Sequence, residues 1–212
     1  MKETATRPHA VGLLLAGAMC LLPFLIPYHQ LPVLSFYPEW LAAALGICAA
    51  LVVLAWRGVA LVSVPAPAVW LIAFAVYLLV RMADPGQAYP QISLLAAFYV
   101  LFAALMIWLG AQLARALGVE RVAQVLAGLI LAGAFANALA GAIQFYGRPV
   151  LLEDVVARLN GNRAYGNIAQ SNLYANYLAL GQSALLFLWL RLRKGTAYAL
   201  ATAVFLAAAS AL

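Results

Sequence analysis

The chain has 212 residues, of which 67% are hydrophobic and 8% are charged, and its formal net charge is +6. Soluble domains are about half apolar and about a quarter charged, so this composition and a mean hydropathy of +1.00 exclude an ordinary soluble domain. Apolar runs near the ~20 residues that a helix needs to cross a bilayer alternate with short polar segments, which indicates transmembrane helices and not a barrel.

These runs predict an all-α, polytopic transmembrane helix bundle of about seven spans. The spans lie at residues 11–28, 40–56, 69–80, 92–109, 122–145, 172–190 and 196–212. The first follows charged residues, as in a signal peptide, but lacks a small-residue cleavage site, so we interpret it as a retained span. Cys20 and Cys48 fall inside spans, where a structural disulfide is not expected.

The basic residues predict the orientation of the bundle. With a cytoplasmic N-terminus, eight Lys and Arg residues lie in inner segments, and four, Arg81, Arg148, Arg158 and Arg163, lie in outer ones. Inner segments of membrane proteins carry an excess of Lys and Arg. We therefore expect the N-terminus inside and the longest connection, 146–171, outside.

Part of that outer loop has the periodicity of an amphipathic helix. In residues 150–159, five apolar side chains share one arc and three charged ones the other: Leu151, Leu152, Val155, Val156 and Leu159 against Glu153, Asp154 and Arg158. This pattern predicts a helix lying flat in the membrane interface before the sixth span.

The stretch "NGNRAYGNIAQSNLYANYLALG", residues 160–181, concentrates amides at the mouth of the sixth span. Asn167 followed by Gln170 has the spacing of a capping box. Further along, Tyr174, Tyr177 and Gly181 share a helix face with Gln170, while the opposite face carries Asn172, Asn176 and Ser183. Amides facing lipid are unfavourable, so the span either bonds to neighbouring helices or lines a cavity, and we favour the cavity.

The fifth span offers this stretch a partner. Gly133, Asn137, Gly141 and Gln144 recur at helical spacing, a stripe of small and amide residues that favours close helix packing. The isolated histidines, His9 and His29, fit flanking and interfacial positions. The sequence shows no metal-ligand spacing, no cofactor motif and no nucleic-acid module.

Outer arginines beside an amide-rich surface favour anion capture, because guanidinium groups match phosphate oxygens bidentately. A lipid-linked phosphate or diphosphate is the expected ligand. Arg148 and Arg158 also fit headgroup anchoring or pairing with Glu153 and Asp154. Arg163, just before the sixth span, is the candidate that we assign to the ligand.

The segment "NRAYGNIAQSNLYANYLALG" resembles the Arg-x-x-Gly-Asn-x-x-Gln-x-Asn signature of bacterial PglL-type protein O-oligosaccharyltransferases, relatives of the O-antigen ligases in the Wzy_C superfamily. The preceding "NALAGAIQFYG" and the multispanning architecture are similar to that family too. The specific part of the resemblance covers about 20 residues.

The resemblance implies a multi-pass bacterial inner-membrane enzyme. Members transfer an oligosaccharide from undecaprenyl diphosphate, on the periplasmic side, to a pilin-like protein Ser or Thr or to lipid A-core, with no cofactor. By the motif match, Arg163 contacts the donor diphosphate, and Gln170 lines the catalytic cavity with Asn172. Arg148 and Asn167 are further candidates for substrate binding.

Family members also carry an essential histidine and arginines in a large periplasmic loop further along the chain. His29 does not match that position. We therefore expect residues 1–212 to be the N-terminal transmembrane part of a larger enzyme, inactive alone and supplying the donor-binding wall, with 146–171 as its periplasmic loop.

Two other functions fit the same polar surface. A transporter or flippase for a lipid-linked or anionic solute also needs polar spans beside a cavity, and it predicts an internal repeat and a site at mid-membrane. A scaffold subunit would use its amides only to hold helices together. It would tolerate replacement of Arg163.

Overall fold

The computed structural model describes residues 2–29, 35–57, 63–84, 86, 88–147, 150–168, 170–192 and 195–212. Seven α-helices lie in these residues: α1 Lys2–Met19, α2 Phe36–Arg57, α3 Ala66–Met82, α4 Pro90–Leu117, α5 Val119–Tyr146, α6 Ser171–Leu192 and α7 Thr196–Ser210. Short 3₁₀ helices cover Leu22–Leu25 and Val150–Leu152. The described part of the chain contains no strand, which confirms the all-α prediction.

Five helical segments are long and apolar enough to cross a membrane: Arg7–Leu25, Phe36–Ala55, Pro90–Leu117, Val119–Tyr146 and Ser171–Leu192. Helices α3 and α7 have 17 and 15 residues, which gives them lengths of about 25 and 22 Å against a hydrocarbon core of about 30 Å. Each predicted apolar run overlaps one of the seven helices. Five of these helical segments are long enough to span a membrane.

Prolines and one glycine set several helix boundaries. Pro65 precedes α3, Pro67 lies in its first turn, and Pro90 begins α4. Proline is tolerated in a first turn because the N–H that it lacks would have no partner there. Gly118, with a φ of 87°, ends α4 and allows α5 to begin at the next residue.

The chain divides into two compact units, the first formed by residues 1–12 and 46–122. In this unit α3 packs along α4. Helix α2 also contacts α4, because a Cβ on Gly46 would lie 2.7 Å from the Phe102 ring. Near the end of α4, Arg115 donates a hydrogen bond to the Ser63 hydroxyl.

The second unit comprises residues 13–45 and 123–212. Its core joins α5, α6 and α7 through Ala134, Ala138, Tyr174, Tyr177, Leu178, Leu206 and Ala209. A Cβ on Gly133 would lie 2.1 Å from the Tyr177 hydroxyl, and one on Gly141 would lie 2.1 Å from the Tyr174 hydroxyl. The glycines therefore form notches for two tyrosines of an antiparallel helix, which confirms their predicted packing role.

The predicted interfacial helix at 150–159 is wrong. Only the 3₁₀ helix Val150–Leu152 forms, followed by turns and extended chain. Leu151 is 93% exposed whereas Val156 is buried, so the apolar residues do not share one face. Backbone groups of Val155 and Ala157 that would continue a helix bond to the side chains of Gln144 and Asn167 instead.

Candidate functional site

The loop of the second unit, residues 150–168, is attached to α5 by buried amides. Asn137, fully buried on α5, donates from Nδ2 to the Phe24 carbonyl at 2.9 Å and to the Gly133 carbonyl at 3.1 Å. Its Oδ1 accepts a hydrogen bond from the Asn167 backbone N–H at 3.1 Å. One side chain thus connects α5, the segment after α1 and the loop.

Asn167 extends this attachment. It is 4% exposed, and its Nδ2 donates to the carbonyls of Leu25 at 3.1 Å and Val155 at 2.8 Å. Its Oδ1 accepts from the Ala157 N–H at 2.9 Å. Both amide donors and the amide carbonyl are therefore bonded inside the protein, so we assign Asn167 to the scaffold and not to substrate contact.

Gln144, in the last turn of α5, is the third member of what we call the amide hub, formed by Asn137, Gln144 and Asn167. Its Nε2 donates to the carbonyls of Ala157 at 2.9 Å and Gly166 at 3.3 Å, and its Oε1 accepts from the Tyr165 N–H at 2.8 Å. Gln144 is 4% exposed, so it serves the loop and not a cavity.

The capping-box prediction for Asn167 and Gln170 is wrong. Helix α6 begins at Ser171, four residues after Asn167, and the Asn167 side chain is occupied in the hub. Gln170 contributes its backbone carbonyl, which accepts from the Tyr174 N–H at 3.0 Å in the first turn of α6. Its side chain is exposed.

Gly166 is the residue that lets the loop approach α5. Its φ is +53°, and a Cβ there would lie 2.9 Å from the Asn137 carbonyl oxygen and 3.1 Å from the Tyr174 ring. Left-handed backbone favours glycine, and the Asn137 backbone cannot move aside without disturbing α5. The Gly-Asn pair of the signature therefore has a structural explanation, since Gly166 allows the close approach and Asn167 bonds the loop in place.

Residues 160–163 form the exposed tip of this loop. The Tyr165 hydroxyl donates to the Arg158 carbonyl and accepts from the Asn160 N–H at 3.1 Å. Next to the tip, the Ala164 N–H donates to the Leu212 carbonyl at 3.2 Å, and Ala164 is 2% exposed. The tip is thus held at both ends by buried or hydrogen-bonded neighbours.

Arg163 lies on this tip with an exposed side chain, and Arg158 is exposed as well. Within the part of the chain that the structure describes, neither guanidinium group has a hydrogen-bond or ion-pair partner. The predicted pairing of Arg158 with Asp154 is therefore absent there. Arg148 lies outside the described residues. Two cations are available for an external anion.

The amides of α6 lie on the exposed face of the helix. Asn172 and Asn176 are exposed, one turn apart, whereas Tyr174, Tyr177 and Gly181 are buried toward α5. The two predicted faces are thus confirmed, except that Gln170 precedes the helix. Arg163, Gln170 and Asn172 are all exposed and do not form an enclosed cavity within the described residues.

Tyr174→Phe is expected to raise the free energy of unfolding by about 1 kcal/mol. The Tyr174 hydroxyl is buried and has no hydrogen-bond partner among the described residues, and such a group destabilises a fold by about 1–3 kcal/mol. The Tyr177 hydroxyl donates to the Cys20 carbonyl at 2.6 Å, so Tyr177→Phe is the matched control and should lower stability. Thermal unfolding in detergent separates the two. Equal losses would contradict the assignment.

His29 has a role that its sequence position did not reveal. Its Nε2 lies 3.1 Å from the Asn167 carbonyl oxygen, and because a carbonyl only accepts, Nε2 carries the proton. The partner is 138 residues away, so no local pattern indicated it. Among the described residues no group of three His, Cys, Asp or Glu side chains lies close enough to hold a metal ion.

Comparison with protein families, with curated proteins and with solved structures finds no match to this chain.

Proposed function

We propose that this chain supplies the donor-binding part of a membrane oligosaccharyltransferase, which transfers an oligosaccharide from undecaprenyl diphosphate to a protein Ser or Thr or to lipid A-core. The observation that carries the proposal is Arg163, an exposed guanidinium that has no hydrogen-bond or ion-pair partner among the described residues and lies on a tip whose base is held by the amide hub. The signature resemblance at residues 163–172 supports the same assignment.

The physical reason is preorganisation. A guanidinium forms two parallel, charge-assisted hydrogen bonds with phosphate oxygens, and binding is favoured when little ordering is needed on association. The hub bonds the loop to α5 on the N-terminal side of the tip at Ala157 and on the C-terminal side at Tyr165 and Asn167. The loop backbone on both sides of Arg163 is therefore held in place before the donor binds.

Gln170 and Asn172 complete the proposed surface. They lie at the start of α6, where exposed amides suit the hydroxyl groups of a sugar. In this proposal they line the side of the donor that carries the glycan, while Arg163 holds the diphosphate. The family's catalytic histidine has no counterpart in these residues, so the reaction needs groups from outside them.

We further propose that all seven helices cross the bacterial inner membrane, with the N-terminus in the cytoplasm and the loop in the periplasm. The contacts of the second unit agree with alternating crossings, because the loop bonds to Leu25, in the segment after α1, and to Leu212, two residues after the end of α7. The predicted excess of inner Lys and Arg supports the orientation.

Cysteine labelling checks this orientation. In a background without Cys20 and Cys48, Asn160→Cys is expected to react with a membrane-impermeant maleimide in intact cells whose outer membrane has been permeabilised, because Asn160 is exposed on the tip. A cysteine at Arg115, on the inner end of α4, should react only after lysis. The reverse pattern would contradict the topology and the donor site together.

The test of the function is glycan transfer by the complete protein carrying Arg163→Ala. Losing a bidentate, charge-assisted contact should remove about 2–3 kcal/mol of donor interaction, which is roughly a 30- to 150-fold loss of transfer at limiting donor. The amount of protein in the membrane should not change, since the Arg163 side chain is exposed.

Arg158→Ala is the matched control, because it removes an exposed arginine from the same loop. It should retain most of the transfer activity. Normal transfer by Arg163→Ala would contradict the proposal and favour a scaffold. Equal losses in both variants would indicate a general effect of positive charge and would also count against a specific Arg163 contact.

A further inference from the structure

Helix α6 carries an exposed seam on the side opposite to its packed face. Tyr174, Tyr177 and Gly181 of the same helix are buried, whereas the seam residues are all exposed. They follow one another at spacings of three and four residues, over about 21 Å of helix: Asn176, Ala179, Ser183, Leu186 and Leu190. This repeat of 3.5 residues is the one by which two helices pack along each other at a shallow angle. We call these residues the α6 seam.

Asn176 is the polar residue of the seam that most requires a partner. It lies five residues, or about 8 Å, after the first residue of a helix that is about 33 Å long. When α6 spans the bilayer, the amide therefore lies within the ~30 Å hydrocarbon core. Among the described residues its side chain has no hydrogen-bond partner. Lipid chains offer none, so an amide at this depth is stabilised by a neighbouring protein surface.

The rest of the seam suits helix contact and not a polar path across the membrane. The Ser183 hydroxyl donates to the Ala179 carbonyl at 3.0 Å within the same helix, so Ser183 presents little more than a small surface. Small residues allow two helix backbones to approach closely. Leu186 and Leu190 continue the seam along α6, where a path for a polar solute would need polar groups. Asn172, one turn before the seam, stays in the proposed donor surface.

A second copy of this chain matches the seam by symmetry. Copies of one chain insert into the membrane with the same orientation, so their α6 helices run parallel and each seam residue meets its own equivalent across a two-fold axis. A carboxamide has both donors and an acceptor, so two Asn176 side chains satisfy each other at equal depth. An unrelated or antiparallel helix would need a separate polar residue at that depth. Ala179 and Ser183 then face small residues, and the leucines face leucines.

We propose that this chain forms a parallel homodimer along the α6 seam, held by a hydrogen bond between the two Asn176 side chains and by close packing at Ala179 and Ser183. The dimer goes beyond the proposed function and does not depend on it. Since the seam is exposed, substitutions there change the association of two folded copies and not the core of either one.

Disulfide cross-linking in native membranes tests the geometry. Single cysteines are introduced into the background without Cys20 and Cys48, and oxidation joins only residues whose Cα atoms approach within about 7 Å. Ala179→Cys and Ser183→Cys should give roughly fivefold more dimer than Val204→Cys, because only the seam brings two copies within this distance. Val204 is 68% exposed on α7 and controls for random collisions in the membrane.

Association in lipid tests the forces that hold the dimer. Fluorescently labelled protein is reconstituted into liposomes, and energy transfer reports the dimer fraction while lipid dilutes the protein. Asn176→Leu should weaken the dimer roughly 3- to 30-fold, the range that hydrogen bonds between membrane helices show, whereas Asn176→Gln, which keeps the amide, should retain most of it. Ala179→Leu should weaken it roughly tenfold through loss of close approach. Ala201→Leu, the same change at an exposed position of α7, should leave it unchanged.

The melting temperature of each variant separates a loss of association from a loss of folding. A protein that stays monomeric at every protein-to-lipid ratio would overturn the proposal. Cross-linking at Val204→Cys equal to that at the seam would overturn it too, as would a dimer that persists in both Asn176→Leu and Ala179→Leu. Seam cysteines that join a different polypeptide instead of a second copy would show that another protein covers this face, and the homodimer would be wrong.

Discussion

Asn167→Ala is expected to lower the free energy of unfolding by about 3–5 kcal/mol. The substitution removes one buried and two partly buried hydrogen bonds and leaves the N–H of Ala157 and the carbonyls of Leu25 and Val155 without these partners. Each buried polar group left unsatisfied costs about 1–3 kcal/mol, and the losses are not fully additive because one site is shared. Thermal and denaturant unfolding in detergent measure the change.

Asn167→Asp is the matched variant, since it keeps the shape and the acceptor but replaces the two Nδ2–H donors by an oxygen facing two carbonyls. It should destabilise the protein as much as alanine does. If Asn167→Asp retained normal stability, the side chain would contribute volume and not hydrogen bonds, and the hub would lose its role.

Gly166→Ala is expected to lower the free energy of unfolding by about 3 kcal/mol. A left-handed backbone costs a residue with a Cβ about 1–2 kcal/mol, and overpacking against the Asn137 carbonyl at 2.9 Å adds roughly 1–3 kcal/mol. Donor binding should weaken too, because the loop that carries Arg163 is displaced from α5.

Gly195→Ala isolates the contribution of the left-handed backbone. Gly195 has a similar φ of +70°, but among the described residues its added Cβ would meet only Tyr198, at an ordinary 3.7 Å. Its free energy of unfolding should fall by the backbone contribution alone, about 1–2 kcal/mol. Equal losses in the two variants would show that backbone conformation alone explains Gly166, and that the close approach to α5 contributes nothing.

The positions of the helices follow from the sequence because burial in lipid demands long apolar runs, and each run became a helix. The stripe of Gly133 and Gly141 on α5 also predicted close packing correctly. The reason is local, since small residues at helical spacing admit a neighbouring helix whatever its sequence. The sequence showed that Tyr174 and Tyr177 share a helix face. It did not show that these two side chains fill the notches.

The loop could not be predicted in the same way. Residues 150–159 have helical periodicity, yet their backbone groups bond to the side chains of Gln144 and Asn167 instead of to one another. A local sequence pattern does not show such long-range hydrogen bonds. Asn167 was assigned first to a cap and then to the ligand, because its true partners include Leu25, which is 142 residues away. The exposed position of Arg163 was predictable, whereas its ordered base was not.

The amides of residues 160–181 therefore separate into two groups. Asn167 joins Asn137 and Gln144 in a buried hub that fixes the loop, whereas Asn160, Asn162, Gln170, Asn172 and Asn176 are exposed. Polar residues in a membrane protein are retained where they bond internally or face a functional surface. The first reason operates in the hub, and the proposed donor site would supply the second for the exposed amides.

Donor binding by purified, folded variants tests the division between scaffold and ligand site most directly. With a fluorescent polyprenyl diphosphate in nanodiscs, Arg163→Ala should weaken binding roughly 30- to 150-fold while its melting temperature stays that of the unmodified protein. Arg158→Ala should change neither quantity. Unchanged affinity in Arg163→Ala, or an affinity loss that is matched by a fall in its melting temperature, would contradict the account.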